Sequence, residues 1–325
     1  MKKLLNLIFF FTSFSAYSAE CTIFAHGIVD GPTQVVRFQE AIATSKTLAL
    51  SFPDAHPASG CLLNGIIGYL TNCFGKKVNR DAMFMGQSAD IATIVETMSD
   101  QTSCESSVIL YGCSRGAAAI INYMSQCNPT QVKALVLDAC PASISETIAP
   151  TLAKLGINPS LSLSVFTTIF PAYPENSITP RQAIKNIANK NLPILLIHGK
   201  SDTVVPYEHS LMLYLEFKKQ GFTNVHLVTI SQGKHSFLLQ NEYAKSQYLT
   251  AVHSFYKAYG LSHDPTWAKD TCDTDNPDFA GIAEKISIYE TNILRLHEYG
   301  KKRNLIAIAS LVTIMSLLYL KNHRG

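Results

Sequence analysis

Ser114 has the strongest chemical setting in this chain. It stands in Gly112-Cys113-Ser114-Arg115-Gly116, where an apolar run from Val108 stops at Gly112 and a helix-like run resumes past Gly116. Such a strand-to-helix turn leaves no room for a side chain at either glycine and pushes the serine into an unfavourable backbone region. The hydroxyl then stands clear of the sheet edge, close to the positive end of the next helix. A serine hydroxyl attacks a carbonyl only when a base takes its proton, so another part of the chain must supply that base. Asp202 follows an apolar run at 192–198, and His235 follows a run at 224–230 in a turn that contains Gly233. A serine, an imidazole and a carboxylate that orients the imidazole together suit acyl transfer. Asp138 also ends an apolar run and is a second candidate for the acid, but it lacks the Gly199-Lys-Ser-Asp202-Thr-Val-Val-Pro206 context. His26 and His198 read as structural groups that bond loop backbone. His209, His226 and His253 fall within expected helices or strands and carry no role. Arg115 reads either as a partner for an acidic substrate group or as half of a surface ion pair.

The elements that must position these groups are legible as alternation. Apolar runs begin near 21, 47, 108, 132, 192 and 224, and helix-like stretches at 33–45, 87–98, 117–127, 179–190, 208–220 and 242–259 separate or follow them. In the second of these stretches Ile91, Ile94, Val95 and Met98 recur at helical spacing. Unbroken apolar runs alternating with helices are the pattern of a parallel sheet buried on both faces. In such a sheet Ser114, Asp202 and His235 leave at the same carboxyl edge, where open α/β sheets place their sites. The section 53–77 is irregular and rich in Pro, Gly and Cys. The section 143–176 has apolar helical stretches without a strand, which makes it a candidate lid.

The ends of the chain read differently. Residues 1–18 have two lysines, an apolar run and small residues before Ala19, the pattern of a secretory signal peptide. Eight cysteines fit an exported protein, in the periplasm or cell envelope, and Cys61 with Cys73 is the first candidate bridge. A domain over 19–261 precedes a stretch at 262–281 whose aspartates, prolines and Trp267 suggest a linker leaving the globular part. Its aspartates lack the glycine and closing glutamate of a calcium loop and read as solvated. A helix at 282–299 and the basic group 301–303 follow, so 262–303 reads as linker and helix. The segment 304–320 holds sixteen residues without charge from Leu305, a span of about 24 Å against a hydrocarbon core of about 30 Å. It is a short transmembrane candidate, closed by the basic tail 321–325. The net charge of +3 is dispersed, which argues against nucleic acid as a partner.

Three segments resemble those of the α/β-hydrolase superfamily, that is, serine hydrolases of esterase, lipase and serine-aminopeptidase type. Leu195-Leu-Ile-His-Gly-Lys-Ser-Asp202-Thr-Val-Val-Pro206 is similar to the acid-bearing segment, Gly233-Lys-His235-Ser to the histidine turn, and Ala25-His26-Gly27-Ile28 to the turn that supplies an oxyanion amide. The order Ser114, Asp202, His235 is also that of the superfamily. The resemblance covers about residues 21–260 and implies an α/β-hydrolase fold, a mainly parallel sheet of about six strands flanked by helices. The antiparallel strands that usually come first are missing. It further implies that Ser114 is the nucleophile, His235 the base and Asp202 its orienting acid. The backbone amides of Ile28 and Arg115 would hold the oxyanion, with Val29 one residue away. No metal or organic cofactor is implied. The implied substrate is a small acyl compound or lipid, reached near a membrane to which the C-terminal helix tethers the enzyme. Two alternatives are a serine peptidase of the same fold and a non-catalytic binding module of the envelope.

Overall fold

The computed structural model describes residues 20–28, 30–43, 46–53, 85–100, 107–169, 173, 177–272, 274 and 278–322. For Ile169, Ile308 and residues 311–322 only the backbone is described. The expected signal peptide, the Cys61–Cys73 bridge and the irregular section past Pro53 lie outside these residues.

Six strands form one parallel sheet: β1 (Glu20–Ala25), β2 (Lys46–Ala49), β3 (Ser107–Cys113), β4 (Val132–Asp138), β5 (Ile194–Gly199) and β6 (Val225–Ile230). Their spatial order is β2-β1-β3-β4-β5-β6. Every residue of β3 is buried, because side chains alternate between two covered faces. Val108 and Leu110 of β3, Leu135 and Leu137 of β4, and Ile194 and Leu196 of β5 enter one core. Ile109, Tyr111, Ala134, Val136, Leu195 and Ile197 enter the other. That double burial is why the strands read as unbroken apolar runs. The chain steps from β1 to β2 on one side and returns to β3 on the other, so a crevice opens where β1 and β3 end.

The first core is covered by α1 (Ala89–Ser99), α2 (Arg115–Cys127), a short α5 (Pro180–Ala183) and α6 (Glu208–Lys219). The second is covered by the 3-10 helix Pro32–Ala41 and α7 (Glu242–Ala258). Between β4 and α5 lie α3 (Ile144–Lys154) and α4 (Ser162–Ile169), the helical content expected of the candidate lid. Two helices are less regular than their patterns. The stretch at 33–45 becomes a 3-10 helix led by Pro32, and the one at 179–190 is a four-residue helix with a capping box at Thr179 and Gln182, then a 3-10 turn. In α1, Val95 is exposed while Asp90 is buried with Ile91, Ile94 and Met98.

Residues 262–272 stay against the body. Ser262 N–H donates to Glu20 at 2.7 Å, Asp264 N–H to His253 Nδ1 at 3.1 Å, and Lys269 N–H to Ser254 Oγ at 2.9 Å. Trp267 packs on the second core, and Asp270 pairs with Lys257 at 2.7 Å. The helix and the transmembrane candidate are one helix, α8 (Phe279–Asn322), about 66 Å long at 1.5 Å per residue. Its first turns bury Ile282 and Ile286 in the first core, and Arg303 and Asn304 donate to the last carbonyls of α3, Lys154 O and Leu155 O. Among the described residues no helix is long and apolar enough to cross a membrane. The charge-free run of sixteen residues is short for a bilayer, and most of its side chains lie outside the description.

Candidate active site

β3 delivers Ser114 to the crevice between the ends of β1 and β3. Ser114 has φ 53° and ψ −115°, a conformation that costs an L-residue about 1–3 kcal/mol and that the surrounding packing must hold. The packing does so through the two glycines. A Cβ on Gly112 would lie 2.6 Å from Ala117 Cα, and one on Gly116 would lie 2.0 Å from the carbonyl oxygen of Ala25. The turn can therefore press against its own helix and against β1. Ser114 N–H donates to Asp138 O at 2.8 Å, which fixes the turn to β4.

The structure brings the three expected residues together. His235 Nε2 lies 3.0 Å from Ser114 Oγ, and His235 Nδ1 lies 2.7 Å from Asp202 Oδ2. With Nδ1–H donating to the carboxylate, Nε2 is left to accept the serine proton. Asp202 Oδ1 accepts from the backbone of Val204 at 2.8 Å and Val205 at 2.9 Å, so the D-x-x-V turn itself aims the carboxylate. The acid and base turns are pressed together, since a Cβ on Gly199 would lie 2.3 Å from Gly233 O. Burial works against a charge on both groups. For Asp202, His235 and His198 outweigh that burial and hold the carboxyl well below its usual range. For His235 the attraction of Asp202, with Asp138 and Asp30 further off, lifts it above 6.5 despite burial.

His198 has its own task. Its Nε2–H donates to Val205 O at 2.8 Å and lies 3.3 Å from Asp202 Oδ2, while Nδ1 accepts from Ser210 Oγ at 2.7 Å. His26 donates through Nδ1 to Gly27 O at 2.7 Å and accepts through Nε2 from Phe52 N–H at 3.2 Å. Burial, with Arg115 nearby, lowers it to about 4 and keeps it neutral. Both bond loop backbone, and His198 also touches the carboxylate of Asp202. His209 accepts from Ala142 N–H at 3.2 Å, His226 pairs with Tyr259, and His253 donates to Glu40 O at 2.8 Å.

Asp138 does not reach His235 by a hydrogen bond in this structure. It is fully buried below the site, and its Oδ2 accepts from Tyr248 at 3.1 Å, which in turn bonds Tyr111. Burial pushes Asp138 up to about 6, and among the described residues its Oδ1 has no hydrogen-bond partner. Arg115 departs from both expectations. Its guanidinium is neither on the surface nor open to substrate: Nε and Nη2 reach the two oxygens of Asp90 at 2.8 and 2.6 Å, with both side chains at most 1% exposed. Its far face lies 5.2 Å from the centre of the Phe52 ring. The sequence did not single out Asp90; a charge on the apolar face of α1 is the signal that could have found it.

The two amides expected to hold an oxyanion belong to a helix start and a strand end. Arg115 is the first residue of α2, where N–H groups have no partner within the helix. Ile28 follows the His26-Gly27 pair at the end of β1, and Val29 lies outside the described residues. No pattern in the sequence singled out Gln34, which is buried under that turn and bonds Gly27 N–H at 2.8 Å.

Residues 85–261, more than half of the chain, match the model of the prolyl oligopeptidase family. The uncharacterized protein YfhR of Escherichia coli O157:H7 is 30% identical over 128 residues, 39% of this chain and 38% of that protein. Among solved structures, an acylaminoacyl peptidase of Pyrococcus horikoshii aligns with a TM-score of 0.49 at 14% identity, over 83% of this chain and 40% of that one. The esterase Pf2001 of Pyrococcus furiosus aligns with a TM-score of 0.46 at 17% identity, over 74% of this chain and 84% of that one. On the family match and the parallel sheet with its strand-end serine, the chain belongs to the prolyl oligopeptidase family of serine hydrolases, within the α/β-hydrolase superfamily.

Proposed function

We propose that the protein cleaves an acyl ester, thioester or amide through an acyl-enzyme on Ser114. The observation that carries this reading is the continuous hydrogen-bonded chain from Asp202 through His235 to a serine in a strained turn. Ser114 Oγ attacks the acyl carbonyl carbon as His235 Nε2 takes its proton, and Asp202 offsets the positive charge on the imidazolium. The carbonyl oxygen becomes an oxyanion held by Arg115 N–H and Ile28 N–H, each donor typically worth about 2.7–4 kcal/mol. As the tetrahedral adduct collapses, the bond to the leaving group breaks and Nε2–H supplies its proton. Water, deprotonated by the same nitrogen, then releases the acid and regenerates Ser114. A burst of p-nitrophenol from p-nitrophenyl butyrate, equal to the enzyme present and lost in Ser114→Ala, is the expected result. Equal slow release by both proteins would refute the proposal.

Ester cleavage is the first reading of the substrate class, since a site held near a membrane would meet lipid-like acyl groups. Peptide cleavage is the second, and the family's description favours it. Turnover of an acylated peptide with no ester turnover would decide for the second.

We further propose that the protein is exported and tethered. The signal-like residues 1–18 and the disulfide at Cys21 support export. The charge-free run at the end of α8, closed by Lys321 and Arg324, supports the tether, although Lys301, Lys302 and Arg303 before it run against the positive-inside rule. The full chain should resist alkaline carbonate extraction from membranes, while a chain shortened to end at Asn304, which keeps the packed part of α8, should not. Extraction of both would refute the tether.

A further inference from the structure

We infer that Gln34 is a positioning residue for the oxyanion turn, its side-chain amide spanning the turn and aiming the Ile28 N–H at the developing charge. The inference rests on the role proposed above for Ile28 and Arg115. Gln34 lies in the 3-10 helix after the turn and is 1% exposed. Its Oε1 accepts from Gly27 N–H at 2.8 Å, and its Nε2 donates to Asp30 Oδ2 at 2.7 Å. One planar group therefore holds the residue before Ile28 and the residue two after it. Asp30 closes the loop, with its N–H donating to Ile28 O at 2.6 Å and its carboxylate paired to Arg37 at 3.3 Å.

This arrangement sorts the amides of the turn. Gly27 N–H is committed to Gln34, which leaves Ile28 as the next donor along the chain toward Ser114. The floor of the turn is fixed as well, since the 3-10 helix is pinned by Phe38 and Ala41 in the second core. An oxyanion donor acts only if it is aimed before the charge appears. A buried amide with both ends bonded supplies that aim, because its bonds to Gly27 and Asp30 are lost if the turn rotates, and its Nε2 also reaches Cys113 Sγ beside the serine at 4.0 Å.

The test uses the full chain, p-nitrophenyl butyrate as substrate, and fluorophosphonate titration to count competent sites. Gln34→Met removes both bonds at similar volume. Its kcat per titrated site should fall roughly 10–100-fold with KM changed less than about twofold, the signature of an interaction made in the transition state. Gln34→Glu supplies the second readout. Ionised, the new carboxyl still accepts from Gly27 but faces Asp30 with no proton to offer. Protonated, it restores both bonds, so the deficit relative to wild type should shrink as pH is lowered. A Gln34→Met kcat equal to wild type, or a Gln34→Glu deficit that is constant with pH, overturns the inference alone. Wild-type turnover no greater than that of Ser114→Ala overturns the proposed role of the site, and this inference with it.

Discussion

Breaking the Arg115–Asp90 pair should cost far more than removing it. The two side chains meet at 2.6 and 2.8 Å with at most 1% exposure, so neither charge can be hydrated if its partner is lost. Asp90→Asn keeps an oxygen for Gly86 N–H, which now donates to the carboxylate at 2.7 Å, but takes from the guanidinium the carboxylate it meets at 2.6 and 2.8 Å. The expected cost is about 3–5 kcal/mol, a large share of the roughly 5–15 kcal/mol that stabilises a domain. Arg115→Met should cost a similar amount near neutral pH. It should cost less in acid, because burial already pushes Asp90 upward and the stranded carboxyl can take a proton. The double variant Asp90→Asn/Arg115→Met holds no buried charge and should lose only about 1–2 kcal/mol. Equilibrium unfolding in urea measures all four proteins. Activity should follow the same order, since Arg115 opens α2 and carries one of the proposed oxyanion amides. A double variant as unstable as the two singles combined would refute the reasoning.

Asp138 and His235 give two pH predictions. Asp138 is raised from 3.8 to about 6, so the stability it contributes is present below 3.8 and is lost as pH rises through 6. Asp138→Asn does not titrate, so its stability relative to wild type should rise by about 2 kcal/mol between about pH 4 and pH 7; parallel curves in urea unfolding would contradict this. His235 must be neutral to accept the serine proton, and its raised pKa sets the acid limb of kcat above 6.5. Asp202→Asn removes the nearest of the attractions that raise it, so the limb should move down while kcat drops by about three to four orders of magnitude. A limb that stays in place in this variant would show that another group sets it.

Much of this was legible in the sequence, for identifiable reasons. Strands covered on both faces leave unbroken apolar runs, which made β3, β4 and β5 plain, while the edge strand β2, with Lys46 and Thr47 exposed, showed only through the apolar residues that follow; strand ends carry the Ser114, Asp202 and His235 turns. Gly116 and Gly233 sit where backbones touch, and their positions mark those turns directly. Groups that act through long-range contact were not legible. Arg115 and Asp90 are 25 residues apart and Gln34 sits in a helix of irregular period, so no local pattern announces either bond. The stretch after 261 reads as a linker because it is polar. It docks through its backbone N–H groups, at 2.7 Å to Glu20 and 3.1 Å to His253, and composition does not encode such bonds.

The central claim is that Ser114 is activated by His235 and Asp202. A fluorophosphonate bound covalently, followed by peptide mass spectrometry, tests it without knowledge of the substrate. The phosphonyl adduct should map to Ser114, be absent in Ser114→Ala, and form far more slowly in His235→Ala. Folded wild type that stays unlabelled, or that is labelled on another residue, would contradict the account.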